Sequence, residues 1–476
     1  MSGFEFGITI SAEWVVGTFG PVGADKQEVA RERLPEDKLV LDTALLLDEW
    51  LNQWDRIERS PLSNLDRILS PKTFRIIGAH LWRLILRNKV GGELERVLCE
   101  PQGDVPLRVL INFTDNAKPK LKGLPWEFLY CDAAGVDGVF VAAETNLLLT
   151  RYVPLAGGRT PIDATDRHEK LRVLLIVALP KKGFGQARYD VTMLTAGIGE
   201  IAGIEVLPPV QDWDQHAIQE TLRQTPCHIV HVVGLCKGEP GEPKIYLGGQ
   251  NGSRWQDPKP LIDALTPVGV ERPRLVILQL CELEDGDADE NFERLAPDLM
   301  RRQIPAVLAM QYPMPTDDAD WVGVDFYRQL AEGTPIGAAV QVSRNSLYRL
   351  DQLNRRFGTP VLYLQDDGAL VRPPAAVQQP MADALSIPGA PSRPSRVNAA
   401  AIGRRLRAVI DIETPDEAGA ARYKEWVSSV SWPDDPQDAW LIVHERSRSD
   451  VDPDQAKRVY EELMKALVTM REGHDG

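Results

Sequence analysis

From Leu171 onward, short and nearly continuous apolar runs alternate with segments in which apolar residues recur every three to four positions. The first pattern suits strands buried on both faces and the second suits amphipathic helices. Leu171-Arg-Val-Leu-Leu-Ile-Val177 reads as a buried strand, followed by a helix from about Asp190, a short strand Ile204 to Leu207 and a helix Trp213 to Arg223. Next come the run His228-Ile-Val-His-Val-Val-Gly234, the run Arg274-Leu-Val-Ile-Leu-Gln-Leu280, a helix Asn291 to Arg302 and the strand Ala306 to Gln311. Two long helical stretches, Asp317 to Glu332 and Ile336 to Leu353, precede a last strand at Pro360-Val-Leu-Tyr-Leu364. Such alternation implies right-handed crossovers and a mainly parallel sheet covered on both faces, with ligands and catalytic groups at the carboxyl ends of its strands.

The part before about Leu155 is more mixed. Phe4 to Ile10 alternates like a strand, Lys38 to Trp54 and Thr73 to Arg87 carry helical spacing, and strands return at Leu107 to Phe113 and Asn146 to Tyr152. Between those last two lies the aromatic segment Gly123-Leu-Pro-Trp-Glu-Phe-Leu-Tyr130, read as core packing that ties this region to its neighbour. After Val371, Pro373, Pro374, Pro380, Pro388, Pro391 and Pro394 stand among Ala, Gln and Ser, the composition of an extended, semi-rigid linker. Beyond it, Ile402 to Ile410 and Asp454 to Met470 have helical spacing and Ala439 to Val443 suits a strand. The expected organisation is an N-terminal bracing region at 1–158, a sheet domain at 168–371, a linker at 372–397 and a small α/β or α interaction module at 398–476.

Composition narrows the function. With 43% hydrophobic residues among 476, the chain can bury a sizeable core. A net charge of -15 and the lack of a basic stripe argue against nucleic acid as a partner. No apolar stretch reaches the roughly 18 residues of a membrane span, and the N-terminus lacks a signal-peptide pattern, so a cytosolic protein without membrane partners is expected. Five widely spaced cysteines, Cys99, Cys131, Cys227, Cys236 and Cys281, fit a reducing compartment. No zinc spacing is present; the nearest approach, His228 and His231 beside Cys227 and Cys236, puts the two imidazoles on opposite faces of a strand, so no metal is expected. Lys181-Lys-Gly-Phe-Gly185 lacks the spacing and ending of a phosphate loop, and no Gly-x-Ser-x-Gly occurs, so no cofactor and no serine nucleophile are expected.

The candidate chemistry is a thiol at a strand end. Cys281 directly follows the apolar run ending at Leu280, where a cysteine nucleophile would meet the rim of a parallel sheet. A cysteine peptidase needs an imidazole nearby to take the thiol proton and return it to the leaving amine. The upstream run ends in Gly234, but the next residue is Leu235 and the one after it Cys236. His231 lies four residues back, about 13 Å from the rim at about 3.3 Å per residue, and reads as a core histidine. The acidic residues Glu282, Glu284, Asp285, Asp287, Asp289 and Glu290 would raise the pKa of an adjacent thiol.

His231-Val-Val-Gly-Leu-Cys236 followed by Leu278-Gln-Leu-Cys-Glu282 resembles the paired motifs of CHAT-domain proteins, relatives of caspases and separases. Leu124-Pro-Trp-Glu127, Ile304-Pro-Ala-Val-Leu-Ala-Met-Gln311, Asp325 to Gly333, Ser343-Arg344 and Thr359-Pro-Val-Leu-Tyr363 resemble further blocks of that family, so the resemblance spans about Lys72 to Leu364. It implies a caspase-like three-layer α/β sandwich, with Cys281 as the nucleophile position and Gly234 as a motif glycine. In the family's His-x-x-Gly-His-Gly the second histidine is the base; here that position is Leu235. The resemblance thus implies a catalytically degenerate member acting through protein partners, such as an active protease or sensor subunit in a bacterial regulated-proteolysis or defence assembly, as a homo- or hetero-oligomer. The alternatives are a cysteine endopeptidase that takes its base from another segment or chain, with His231 a weak candidate, and a small-molecule-binding regulator using the strand-end cleft.

Overall fold

The computed structural model describes residues 3–34, 71–86, 89–99, 106–131, 138–144, 146–155, 158–178, 191–211, 215–234, 236–239, 242–246, 255–280, 295–312, 316–350, 355–366 and 368–372. The elements expected at Lys38 to Trp54 and throughout 373–476, the segment Lys181 to Gly185, and Leu235, Cys281 and the acidic residues after it lie outside them. The chain divides into two compact units, Met1–Leu385 and Ser386–Gly476, and the elements below belong to the first.

Three strands open the chain: β1 (Phe4–Ile10), β2 (Trp14–Pro21) and β3 (Gln27–Arg33). Helices α1 (Pro71–Ile85) and α2 (Lys89–Cys99) precede β4 (Leu107–Phe113), the short α3 (Pro119–Lys122) and a single tight turn at Trp126–Phe128. The two-residue strands β5 (Tyr130–Cys131) and β6 (Val139–Phe140) then lead to β7 (Leu147–Tyr152). The second half runs β8 (Leu171–Ala178), α4 (Val191–Gly199), β9 (Ile204–Val206), β10 (Val210–Gln211), α5 (Gln215–Gln224) and β11 (Ile229–Gly234). After β11 come the hairpin strands β12 (Cys236–Glu239), β13 (Glu242–Tyr246) and β14 (Trp255–Gln256), then α6 (Lys259–Leu265) and β15 (Leu275–Leu280). The half closes with α7 (Ala296–Arg301), β16 (Ala306–Met310), α8 (Thr316–Glu332), α9 (Ile336–Leu350) and β17 (Pro360–Leu364).

One twelve-stranded sheet joins both halves, in the order β10-β8-β11-β15-β16-β17-β7-β4-β1-β2-β3, with β9 beside β10 along the same edge of β8. Strands β8, β11, β15 and β16 are parallel, and β11 and β16 are buried along their whole length, which is why they read as apolar runs without alternation. Strand β17 turns back antiparallel to β16 and meets β7 at Tyr363 and Arg151. From β8 the chain steps outward to β9 through α4, then back across β8 to β11 through α5 and onward through α6 and α7. Right-handed crossovers in opposite directions place α4 on one face and α5, α6 and α7 on the other. Helices α8 and α9 share the face of α4, because α8 packs on both α4 and α9. The result is the mainly parallel α/β three-layer arrangement expected from the alternation.

The N-terminal half continues the same sheet. Strands β2 and β3 and helix α2 were not among the expected elements: β2 carries Gly17 and Gly20, β3, at the sheet edge, is mostly polar and charged, and α2 is opened by Gly91 and Gly92 although its buried Val90, Leu94 and Val97 keep helical spacing. Helix α1 ends at Ile85, two residues short of the expected bound, and the expected end of α9 at Leu353 lies outside the described residues. Helix α1 seats against the Trp126–Phe128 turn, and Gly78 is what lets it: a Cβ there would lie 2.0 Å from the Phe128 carbonyl oxygen.

A buried polar tie crosses between the halves. Arg151 Nη2 meets the Glu127 carboxylate at 2.6 Å, with both side chains 1% exposed, and Gln311 Nε2 from the end of β16 donates to the same carboxylate at 3.2 Å. From α9, Arg344 donates to the carbonyls of Pro360 (2.7 Å) and Leu149 (2.8 Å), bridging β17 and β7, and burial lowers its pKa to about 10. The aromatic segment around Trp126 is core, with Trp126, Glu127 and Phe128 all buried, and it joins the two regions as its composition suggested.

Candidate functional site

The strands that the motif reading pairs are neighbours. β11 and β15 run parallel in register, from Ile229 opposite Leu275 to Gly234 opposite Leu280, so Gly234 and Leu280 stand side by side at the carboxyl rim. Beyond β11 the chain enters the β12–β13 hairpin, with Cys236 opposite Ile245, while Tyr246 and Trp255 pack edge to face.

His231 sits below this rim in a closed core. Its side chain is 1% exposed; Nε2 is 2.8 Å from Gln279 Oε1 and Nδ1 is 3.1 Å from the Tyr327 hydroxyl on α8. An amide oxygen only accepts, so Nε2 carries the proton and Nδ1 accepts from Tyr327, a neutral imidazole with both nitrogens engaged. Burial lowers its pKa to about 4, the Gln279 bond opposing weakly, and burial also pushes the Tyr327 hydroxyl up. His231 therefore has no spare nitrogen to offer a thiol at the rim. Gln279 and Tyr327 were not singled out from the sequence; the only signal was one amide inside the apolar run Leu-Val-Ile-Leu-Gln-Leu.

His228 lies on the opposite face from His231, at the amino ends of the strands. Its Nδ1 accepts from the Arg172 backbone N–H at 3.0 Å, and burial, then Arg274 and Arg172, lower its pKa to about 4. Cys227 is buried, and burial raises its thiol to about 12, the pKa of an inert packing residue. Among the described residues no three His, Cys, Asp or Glu side chains form a group able to hold a metal ion, and no helix is long and apolar enough to cross a membrane.

The two depressed histidines fix a pH dependence. Their folded pKa values lie below the ordinary 6.5, so the unfolded chain binds more protons in that range, and stability is full above pH 6.5 and falls as pH drops toward 4. The melting temperature should decline over that window, and His231→Gln should flatten the decline by about half at the cost of lower stability near neutral pH. An unchanged slope in His231→Gln would show that the imidazole is not held neutral.

The family model of the CHAT domain matches residues 78–414, well over half of the chain and past the stretch ending at Leu364 on which the motif blocks lie. The chain belongs to the CHAT domain family. No curated protein matches it in sequence. Among solved structures, this CHAT-domain chain is similar to two of the Saccharomyces cerevisiae separase–securin complex. The one at 3.0 Å matches with a TM-score of 0.33 and 12% identity, and the one at 2.6 Å with 0.31 and 10%. Each match covers 69% of this chain but only 22% of the other.

Proposed function

We propose that this CHAT-domain chain is a protease-related protein that has lost peptidase chemistry and works by binding protein partners, as a regulatory or scaffold component of a proteolytic or defence assembly. The observation that carries the reading is the rim: strands β11 and β15 end together at Gly234 and Leu280, and the next residue on each is Leu235 and Cys281. The thiol position of the family's motif pair is kept, and its proton acceptor is replaced by an alkyl side chain. A leucine can neither take the thiol proton nor return one to a leaving amine, and His231, the nearest imidazole along β11, is committed to Gln279 and Tyr327. A general base supplies typically 10²–10⁴-fold of rate, so its loss removes useful turnover. The segment after the proline-rich linker, with Trp426, Trp432 and Trp440, is the part proposed to dock partners, because tryptophan is enriched at interfaces.

The test is a peptidase assay of the purified full chain against a mixed peptide library and against itself. No cleavage is expected. Cleavage that disappears in Cys281→Ala would establish the alternative, a working cysteine endopeptidase with a base brought from elsewhere.

A further inference from the structure

At the amino ends of the strands, opposite the rim, three side chains able to donate hydrogen bonds to an anion stand in one row. Ile229 is in register with Val173 on β8 and with Leu275 on β15, so the residue before it, His228, lies level with Arg172 and Arg274. The backbone confirms the level: His228 N–H donates to the Arg172 carbonyl at 3.0 Å, and Arg274 N–H to the His228 carbonyl at 2.9 Å. Neighbours level with one another in a parallel sheet share a face, about 4.8 Å apart. Like charges so placed destabilise a sheet, and here two guanidiniums flank an imidazole with no acid between them.

The partners of these groups leave donors over. Arg172 Nε is fully buried and has no hydrogen-bond partner. Arg274 donates to Thr165 Oγ1 and approaches Glu271 only at 3.7 Å, with that carboxylate exposed. His228 accepts at Nδ1 from Arg172 N–H, so its proton resides on Nε2, a third donor. Glu205 on β9 is level with Arg172 but exposed. A buried donor without a partner calls for an occupant, and a row of cationic donors calls for an anion.

We propose that Arg172, His228 and Arg274 form an oxyanion site at the amino edge of the sheet that takes one phosphate-type group. The positive field is visible in His228, whose pKa Arg274 and Arg172 both lower after burial. A bound dianion would reverse that field and draw His228 toward protonation.

The full chain, titrated with millimolar inorganic phosphate against chloride of equal ionic strength near neutral pH, should show a saturable rise in melting temperature and a saturable shift of the His228 imidazole resonance. Arg172→Gln should weaken the affinity by about tenfold or more, the loss of one charge-assisted bond, and Arg172→Lys, which keeps the charge without the Nε donor, by less. Phenyl phosphate gives the second arm: binding equal to inorganic phosphate marks a site open to phosphorylated molecules, and binding of inorganic phosphate alone marks a site closed around the free ion. No saturable response to either, or an affinity unmoved in a folded Arg172→Gln chain, would overturn the proposal.

Discussion

Leu235→His combined with Cys236→Gly should speed alkylation of Cys281 by about tenfold at pH 6. The register of β11 and β15 brings Gly234 and Leu280 to one rim, and under the proposed reading an imidazole at the next position, 235, would stabilise the Cys281 thiolate as an ion pair. A thiol of pKa about 8.5 is only about 0.3% ionised at pH 6, and one lowered to about 6.5 is about a quarter ionised. That gain of about eightyfold is offset by a nucleophilicity about eightfold lower, since the reactivity of a thiolate falls with its basicity. At pH 9, where both thiols are largely ionised, the order should reverse, the variant reacting about sixfold more slowly. An equal rate in parent and variant across the range would mean that the two positions do not meet.

Glu127→Ala should be among the most destabilising single substitutions in the chain. It leaves the Arg151 guanidinium, 1% exposed, without its carboxylate and removes one of the two acceptors of the Gln311 amide, the other being the Gly358 carbonyl. Breaking a buried pair from one side costs about 3–5 kcal/mol, a melting temperature lower by about 5 °C in a chain of this size. Because the pair lies where β7 meets β17, the loss should loosen the two halves together and produce one transition, not two. Glu127→Gln, which keeps a carbonyl for Arg151 but not the charge, should fall between. A melting temperature within a degree or two of the parent for Glu127→Ala would show that the tie carries no weight.

The strands and helices of the second half were legible because each of β8, β11, β15 and β16 is buried on both faces and cannot be mistaken for an amphipathic helix of that length. The polar edge of the first half was not: β3 has the composition of a loop, and it is a strand because β2 offers it a pairing edge. Topology came from the resemblance of motif blocks, since periodicity does not say that β17 runs antiparallel to β16 or that β7 continues the sheet beyond it. The site divides in the same way. The adjacency of the Gly234 and Leu280 strand ends follows from two apolar runs in a crossover fold, whereas the Tyr327–His231–Gln279 network joins residues 96 and 48 positions apart, which no local pattern records.

The proposed absence of a proton acceptor beside Cys281 is read most directly by the pH–rate profile of Cys281 alkylation in the unaltered chain. Without a base, the rate should rise continuously from pH 6 to 9 along the ionisation of an ordinary or raised thiol, and Cys281→Ala should remove the signal. A plateau already reached near pH 6, with Cys281 labelled far ahead of Cys99, Cys131, Cys227 and Cys236, would reveal a preformed thiolate–imidazolium pair and contradict the proposed loss of peptidase chemistry.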